Sequence, residues 1–275
     1  MLAAIVRGRE ALSHLARTVG FEHVVEHMDA LRSLAATQVA QALGRLPDGI
    51  YEGRQLLDDG APLVARFTID GDRAALDFGG SAPVHPGNLN ATPAIVHSVT
   101  MYVMRLLVDV DLPLNEGLLE PVDLRIPEGL LNPPYVDDPR LCPAVVGGNV
   151  ETSQRLVDTL VEALGLTGSS QGTMNNVSFG GARFGYYETV GGGSGASDGF
   201  DGESGVHTHM TNTRITDPEV LEHRYPVRLH RFAVRRGSGG EGRWRGGDGL
   251  IREIEFLDDL EFSILSQHRV SAPFG

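Results

Sequence analysis

From Gly168 onward glycine recurs every few residues, and each one costs a helix interior about 1 kcal/mol, so this half of the chain cannot hold long helices. Between the glycines lie short runs rich in β-branched and aromatic residues: Asn176–Phe179, Tyr186–Val190, Val206–Thr213, Val227–Val234, Leu250–Phe256 and Glu261–Leu265. Each run predicts a strand. One short helix fits at Asp217–His223, opened by Pro218. Gly191–Gly205 and Gly237–Gly249 are loops rather than flexible linkers, because aromatic and charged residues interleave with the glycines.

The first third has a different period. Arg7–Val19 and Phe21–Leu43 predict two helices divided by Gly20. In the second, Val24, Met28, Leu31, Ala35, Val39 and Leu43 recur at helical spacing as one apolar face. Pro47-Asp48-Gly49 ends it. Ile50–Leu57 and Leu63–Phe78 then predict strands, the latter folded back at Asp70-Gly71. Pro93–Val108 is apolar nearly all round and predicts a buried helix, with Thr92 as N-cap. Val122–Ile126 suits a short strand. Asn149 suits the cap of a last long helix, whose stripe is Val157, Leu160, Val161 and Leu164 and whose stop is Gly165. The expected fold is α+β, with helices early and mostly antiparallel, glycine-punctuated strands late. Residues 1–46 form an N-terminal helical segment and residues 47–275 an α+β core.

Charge and composition exclude several chemistries. The formal net charge of −13 disfavours nucleic acid, whose phosphates need clustered cations. All 23 cationic side chains are arginine. Without lysine there is no Schiff base for pyridoxal phosphate and no P-loop, so nucleotide chemistry needs another device or another chain. Nucleotide bias in the source would also give an arginine-only chain. The single cysteine, Cys142, allows no internal disulfide and suits a small packed residue without a nearby base. Met1–Val6 is too short an apolar run for a secretory signal, and nothing approaches the roughly 18 apolar residues of a membrane span. A cytoplasmic protein with no membrane partner is expected. The chain opens within helical text and stops at Ala272-Pro273-Phe274-Gly275 after a strand, so both ends look cut.

The polar runs carry the candidate chemistry. Gly191-Gly192-Gly193-Ser194-Gly195-Ala196 formally fits a dinucleotide-binding pattern, but Ser197-Asp198-Gly199 will not open the helix that pattern requires. The run remains either a plain loop or a backbone that faces an anion. In Val206–Arg214, a strand would put His207, His209, Thr211 and Thr213 on one face. Two imidazoles so placed suit acid–base work or, with carboxylates from elsewhere, a metal; hydrogen-bonded structural histidines are the plain alternative. Ser170–Asn176 offers amide donors and acceptors suited to an amide or imide ring, and equally to turns. Glu188 reads as a buried base or metal ligand, or as a solvated strand-edge carboxylate. Asn149–Gln154 is assigned to helix capping and first-turn charge. Arg243–Gly249 reads as a hairpin with a stacked Trp–Arg pair or as an anion clamp.

Together these strings resemble the hydantoinase B/oxoprolinase family. The resemblance is carried by Pro47-Asp48-Gly49-Ile50-Tyr51-Glu52-Gly53, Asn88–Thr92, Gly148–Gln154, Ser170–Asn176, Gly192–Ala196, His207–Asp217 and Arg243–Gly249, in one order along the chain. It implies the C-terminal half of a B-type subunit of an ATP-dependent hydrolase that opens cyclic amides such as hydantoins or 5-oxoproline. ATP would sit on an A-type partner subunit. Related carboxylases act on ketones, which is the alternative, and an inactive structural fragment is the rival. Any divalent metal would take ligands from a His/Asp-bearing segment upstream of this chain. On that reading His207, His209 and Glu188 serve catalysis, the Gly193–Ser194 backbone meets the oxyanion, and Asn176, Asn212 and Arg214 hold substrate.

Overall fold

A computed structural model describes residues 2–108 and 110–275; Met1 and Asp109 lie outside it, and with Met1 the start of the Met1–Val6 run. Helices α1 (Leu2–Val19) and α2 (Phe21–Leu43) meet at Gly20, whose φ of 99° breaks the helical path. A four-stranded sheet follows, ordered β1 (Gly49–Leu56), β2 (Pro62–Asp70), β3 (Arg73–Asp77), β4 (Val122–Arg125). Its first two pairings are antiparallel, closed between β2 and β3 by the Gly71-Asp72 turn. The β3–β4 pair is parallel, because α3 (Pro93–Leu107) crosses between them.

The helix α4 (Ser153–Leu164) lies on β1 and β2. A side chain at Gly53 would put its Cβ 2.0 Å from the Thr159 carbonyl oxygen, so glycine is what lets helix and strand backbones touch. Leu156, Val157, Leu160 and Val161 from α4 join Leu63, Phe67 and Leu76 from the sheet and Val96, Val99 and Val103 from α3 in the main core. On α3 the buried residues are Val96, Val99, Thr100, Val103 and Met104, so one face is sealed while Leu106 stays 46% exposed. Thr92 sits at its N-cap as expected, with Pro93 at the first position, but the Thr92 side chain makes no capping bond.

The glycine-punctuated half gives two small antiparallel sheets. One is ordered β6 (Phe184–Thr189), β5 (Asn176–Gly181), β9 (Glu261–Leu265); the other pairs β7 (Val227–Arg235) with β8 (Gly249–Phe256). The helix α5 (Pro218–Arg224) is capped by Asp217, whose carboxylate accepts from the Glu219 and Val220 amides. Val177, Phe179, Tyr186, Leu221 and Val227 make a second core. The expected α+β layout is therefore the observed one. Among the described residues no helix is long and apolar enough to cross a membrane.

Three expectations need correction. Val206–Thr213 is not a strand: only Val206 forms an isolated bridge, to Gly192, and the rest is irregular. The reason is His209, whose φ of 53° is left-handed and cannot continue a strand. Asn149 does not cap α4, because Gly148–Thr152 forms a π-helical turn and α4 starts only at Ser153. The α2 stripe is buried only in its second half: Ala35, Val39 and Leu43 are sealed, whereas Met28 is 57% and Leu31 44% exposed. All of α1 is exposed or half-buried, so Leu2, Ile5, Leu12 and Leu15 extend this stripe as open apolar surface.

Replacing Gly53 with alanine is expected to push α4 off β1 and cost at least about 2 kcal/mol of overpacking strain in chemical denaturation, against well under 1 kcal/mol at an open glycine of ordinary backbone such as Gly240. Equal effects at both positions would argue against the close contact.

Candidate functional site

Polar groups concentrate on one side of α4. Glu151, Arg155 and Asp158, spaced four and three residues apart, share a helical face with Gln154, and all four are buried. A buried charge or amide must be answered by protein, and the second half of the chain supplies the answers.

Asp158 accepts from the Ser170 amide (2.9 Å) and hydroxyl (3.4 Å). Its Oδ1 lies 3.4 Å from Nε2 of His209, an ion-pair distance without a formed hydrogen bond. The other imidazole nitrogen, Nδ1, is 3.2 Å from the Tyr102 hydroxyl, and the two rings meet edge to face at 5.7 Å. Burial, and then the nearby Asp158 charge, raise the Tyr102 pKa, so the phenol keeps its proton.

Gln154 holds the histidine loop. Its amide donates to the Thr208 carbonyl (3.1 Å) and the Thr211 hydroxyl (2.9 Å), and its oxygen accepts from the Met210 amide (2.8 Å). One side chain thus grips the loop on both sides of His209 and holds that residue in its left-handed conformation.

Arg155 is sealed, 1% exposed. Its guanidinium reaches His268 Nδ1 (3.2 Å) and lies 3.8 Å from Asp58, while its Nε and Nη2 have no hydrogen-bond partner among the described residues. Burial pulls its pKa down, opposed by Asp158, Asp58 and Glu151. Asp58 in turn accepts from the His268 and Arg269 amides, which ties the C-terminal segment to the β1–β2 loop. Glu151 accepts from the Thr173 hydroxyl at 2.8 Å through one oxygen, and the other has no hydrogen-bond partner among the described residues. Burial is the main cause that pushes its pKa up, to about 7.

The residues expected from sequence fall in different places. His209 is in this cluster. His207 is half-buried, with Nδ1 unpartnered among the described residues and its pKa lowered by burial, so it is neutral at pH 7. Asn176 is 4% exposed and neither end of its amide has a partner among the described residues. Asn212 and Arg214 are exposed. The Ser194 amide donates to the Glu203 carbonyl (3.0 Å), and a Cβ at Gly193 would lie 1.8 Å from the Gly247 carbonyl oxygen. The glycines here let two loops close backbone on backbone, and the Ser194 N–H is already used. Glu188 is fully engaged: Arg252 donates to both its oxygens (2.7 and 3.1 Å) and the Tyr186 hydroxyl donates at 2.5 Å. It stitches β6 to β8. Burial and that bond push the Tyr186 pKa up to about 12.

Sequence reasoning missed Tyr102, Glu151, Gln154, Arg155 and Asp158. Gln154, Arg155 and Asp158 form a polar stripe on α4 opposite the apolar one, with Glu151 in the turn before it, but such a stripe ordinarily faces water, and Tyr102 on the apolar α3 left no signal. Among the described residues no group of three or more His, Cys, Asp or Glu is arranged to hold a metal ion.

Against known proteins, the model of the family described as hydantoinase B/oxoprolinase matches residues 1–275. The chain is 43% identical over 290 residues to 5-oxoprolinase 1 of Arabidopsis thaliana, a match that covers all of this chain and 22% of that protein. The ATP-dependent caprolactamase of Pseudomonas jessenii superposes with a TM-score of 0.79 at 26% identity, over 95% of this chain and 48% of the other. An acetone carboxylase shares the fold, with a TM-score of 0.81 at 18% identity over 96% of this chain and 39% of that one. The chain thus spans about a fifth of the length of the curated relative it matches.

Glu151 yields a test with a definite sign. Its folded pKa lies above the ordinary 4.5, so stability is full below that value and is lost as pH rises through about 7. Glu151→Gln mimics the protonated acid. It is expected to match the parent near pH 4.5 and to exceed it by up to about 3 kcal/mol above pH 7 in urea unfolding. A variant less stable than the parent at high pH would show that the carboxylate charge is needed.

Proposed function

The chain belongs to the hydantoinase B/oxoprolinase family, and from that premise we propose that it is part of an ATP-dependent enzyme that opens a cyclic amide such as 5-oxoproline or a hydantoin. The observation that carries the reading is the family match along the whole chain, joined to a cluster in which the His209 imidazole lies 3.4 Å from the Asp158 carboxylate and is hydrogen-bonded to the Tyr102 phenol at 3.2 Å. A B-type role in a cytoplasmic hetero-oligomer follows, with an A-type subunit or segment as partner. The open apolar stripe of α1 and α2 supports such an assembly, with residues 1–46 as the docking arm and residues 47–275 as the body.

Among the described residues neither the glycine loops nor any side-chain cluster fits ATP or a divalent metal. The glycine loops are filled by each other's backbone, and no metal-ligand cluster occurs among the described residues, so no step is drawn through either group on this chain. Its own residues would handle protons and bind substrate. His209 carries proton transfer, His207 serves as a second neutral imidazole, and Asn176, Asn212 and Arg214 are the proposed substrate contacts. Glu188 is reassigned from catalysis to holding β6 on β8, because Arg252 and Tyr186 occupy its oxygens. Gly193 and Ser194 are likewise reassigned to loop closure.

The ketone carboxylase remains the second reading, favoured by the shared fold with acetone carboxylase. An assay of the complete protein that carries this segment separates them. ATP-dependent conversion of 5-oxoproline to glutamate, or opening of a hydantoin or caprolactam ring, is expected. His207→Ala should lower kcat by about 10²-fold or more. Bicarbonate-dependent consumption of a ketone, without ring opening, would overturn the hydrolase reading, and full turnover by His207→Ala would remove that residue's role.

A further inference from the structure

His209 is the only non-glycine residue between Asn175 and His268 with a left-handed backbone among the described residues, a conformation that costs about 1–2 kcal/mol. Gln154 maintains it with three hydrogen bonds. Strain that the surroundings over-determine points to what the strained side chain touches, and here that is Asp158 on one side and Tyr102 on the other.

The chemistry of the three groups fixes the direction of the bonds. A buried carboxylate beside Nε2 favours the tautomer with its proton there, which leaves Nδ1 a lone pair. The Tyr102 hydroxyl then donates to Nδ1. Asp158 is sealed and its oxygens also take the Ser170 amide and hydroxyl, so it cannot turn away. Nε2 of His209 is sealed as well. With Nε2 sealed and Nδ1 bonded to the phenol, the Tyr102 oxygen is the outer end of this chain of three groups, on a half-buried residue.

Resting on the ring-opening reading above, we propose that Tyr102, His209 and Asp158 form a proton relay, with Tyr102 as the catalytic residue and His209 and Asp158 as the groups that position and charge it. In the first step a water oxygen bonds to the ring carbonyl carbon, and the C=O π pair moves onto the carbonyl oxygen as an oxyanion. The water proton passes to the Tyr102 oxygen as the phenol proton passes to Nδ1 of His209. The resulting imidazolium is balanced by the Asp158 carboxylate, which stays ionised. In the second step the oxyanion pair re-forms the C=O bond, the C–N bond breaks and its electron pair remains on nitrogen. That nitrogen takes the phenol proton, and Nδ1 returns its proton to the Tyr102 oxygen. Water is consumed, one amide becomes an acid and an amine, and the relay ends as it began. The raised pKa of Tyr102 suits a group that is protonated at rest and passes its proton only in a concerted exchange.

Spectra, kinetics and melting on one set of variants test this. Nitrogen-15 spectra of the chain should show His209 protonated at Nε2, with that preference lost in Asp158→Asn and kept in Tyr102→Phe. In the complete protein, Tyr102→Phe should lower kcat by about 10²–10⁴-fold at unchanged KM. The parent's kcat in mixed light and heavy water should curve, as two moving protons require, and straighten in the variant. Tyr102→Phe removes one oxygen, so an unchanged melting temperature will separate lost chemistry from lost folding. An Nδ1-protonated His209, or a Tyr102→Phe enzyme with parental kcat, overturns the relay while ring opening stands. A parent protein that opens no ring overturns the ring-opening reading, and the relay's catalytic role falls with it.

Discussion

Apart from Glu162, every residue of α4 is buried, so its polar side chains have no water to hydrate them. Its apolar side fills the core under the four-stranded sheet, and its close seat on Gly53 fixes its distance from β1. Its other side carries Gln154, Arg155 and Asp158, with Glu151 in the π-helical turn just before it, and each would be costly to seal without partners. The partners come from far along the chain: Thr173 and Ser170 after the helix, Thr208–Thr211 from the histidine loop, and Asp58 with His268 from two other loops. The helix therefore serves as the joint between the main core and the loops that precede β5, follow β6 and follow β9. The position of His209 depends on that joint, since both Gln154 and Asp158 belong to α4.

How much of this was legible in the sequence depended on the range of the interactions. Helices and strands set by local period, such as α2, α3 and the β2–β3 hairpin, were readable because their spacing and turn residues act over a few positions. The exceptions share one cause. Val206–Thr213 has the composition of a strand, yet three hydrogen bonds from a side chain more than fifty residues away bend it at His209. Asn149 is a good capping residue, but the tight approach of Gly148 to Asn90 and Ala91 forces a π-helical turn before α4 can begin. The polar stripe of α4 looks solvated until the second half of the chain is laid over it.

For the site, residue type was a better guide than position. The histidine run was recognisable as chemically rich, and His209 does sit against a carboxylate and a phenol. Tyr102 could not be singled out in a helix that is otherwise apolar, nor Asp158 beside an apolar stripe. Glu188 shows the opposite failure. A carboxylate in a strand looked available for chemistry, but Arg252, sixty-four residues away, claims both its oxygens. The glycine run from Gly191 suggested a backbone open to a ligand, whereas the space is taken by Gly247 and its neighbours.

Hydrogen exchange followed by mass spectrometry tests most directly whether α4 is the joint. If its buried polar face holds these loops on the main core, amides of Ser153–Leu164 will exchange only through global unfolding and will be among the slowest in the chain. Peptides of the open α1 will exchange many times faster. Exchange of α4 through a local opening, at a rate near that of α1 and with the sheets still protected, would contradict the account.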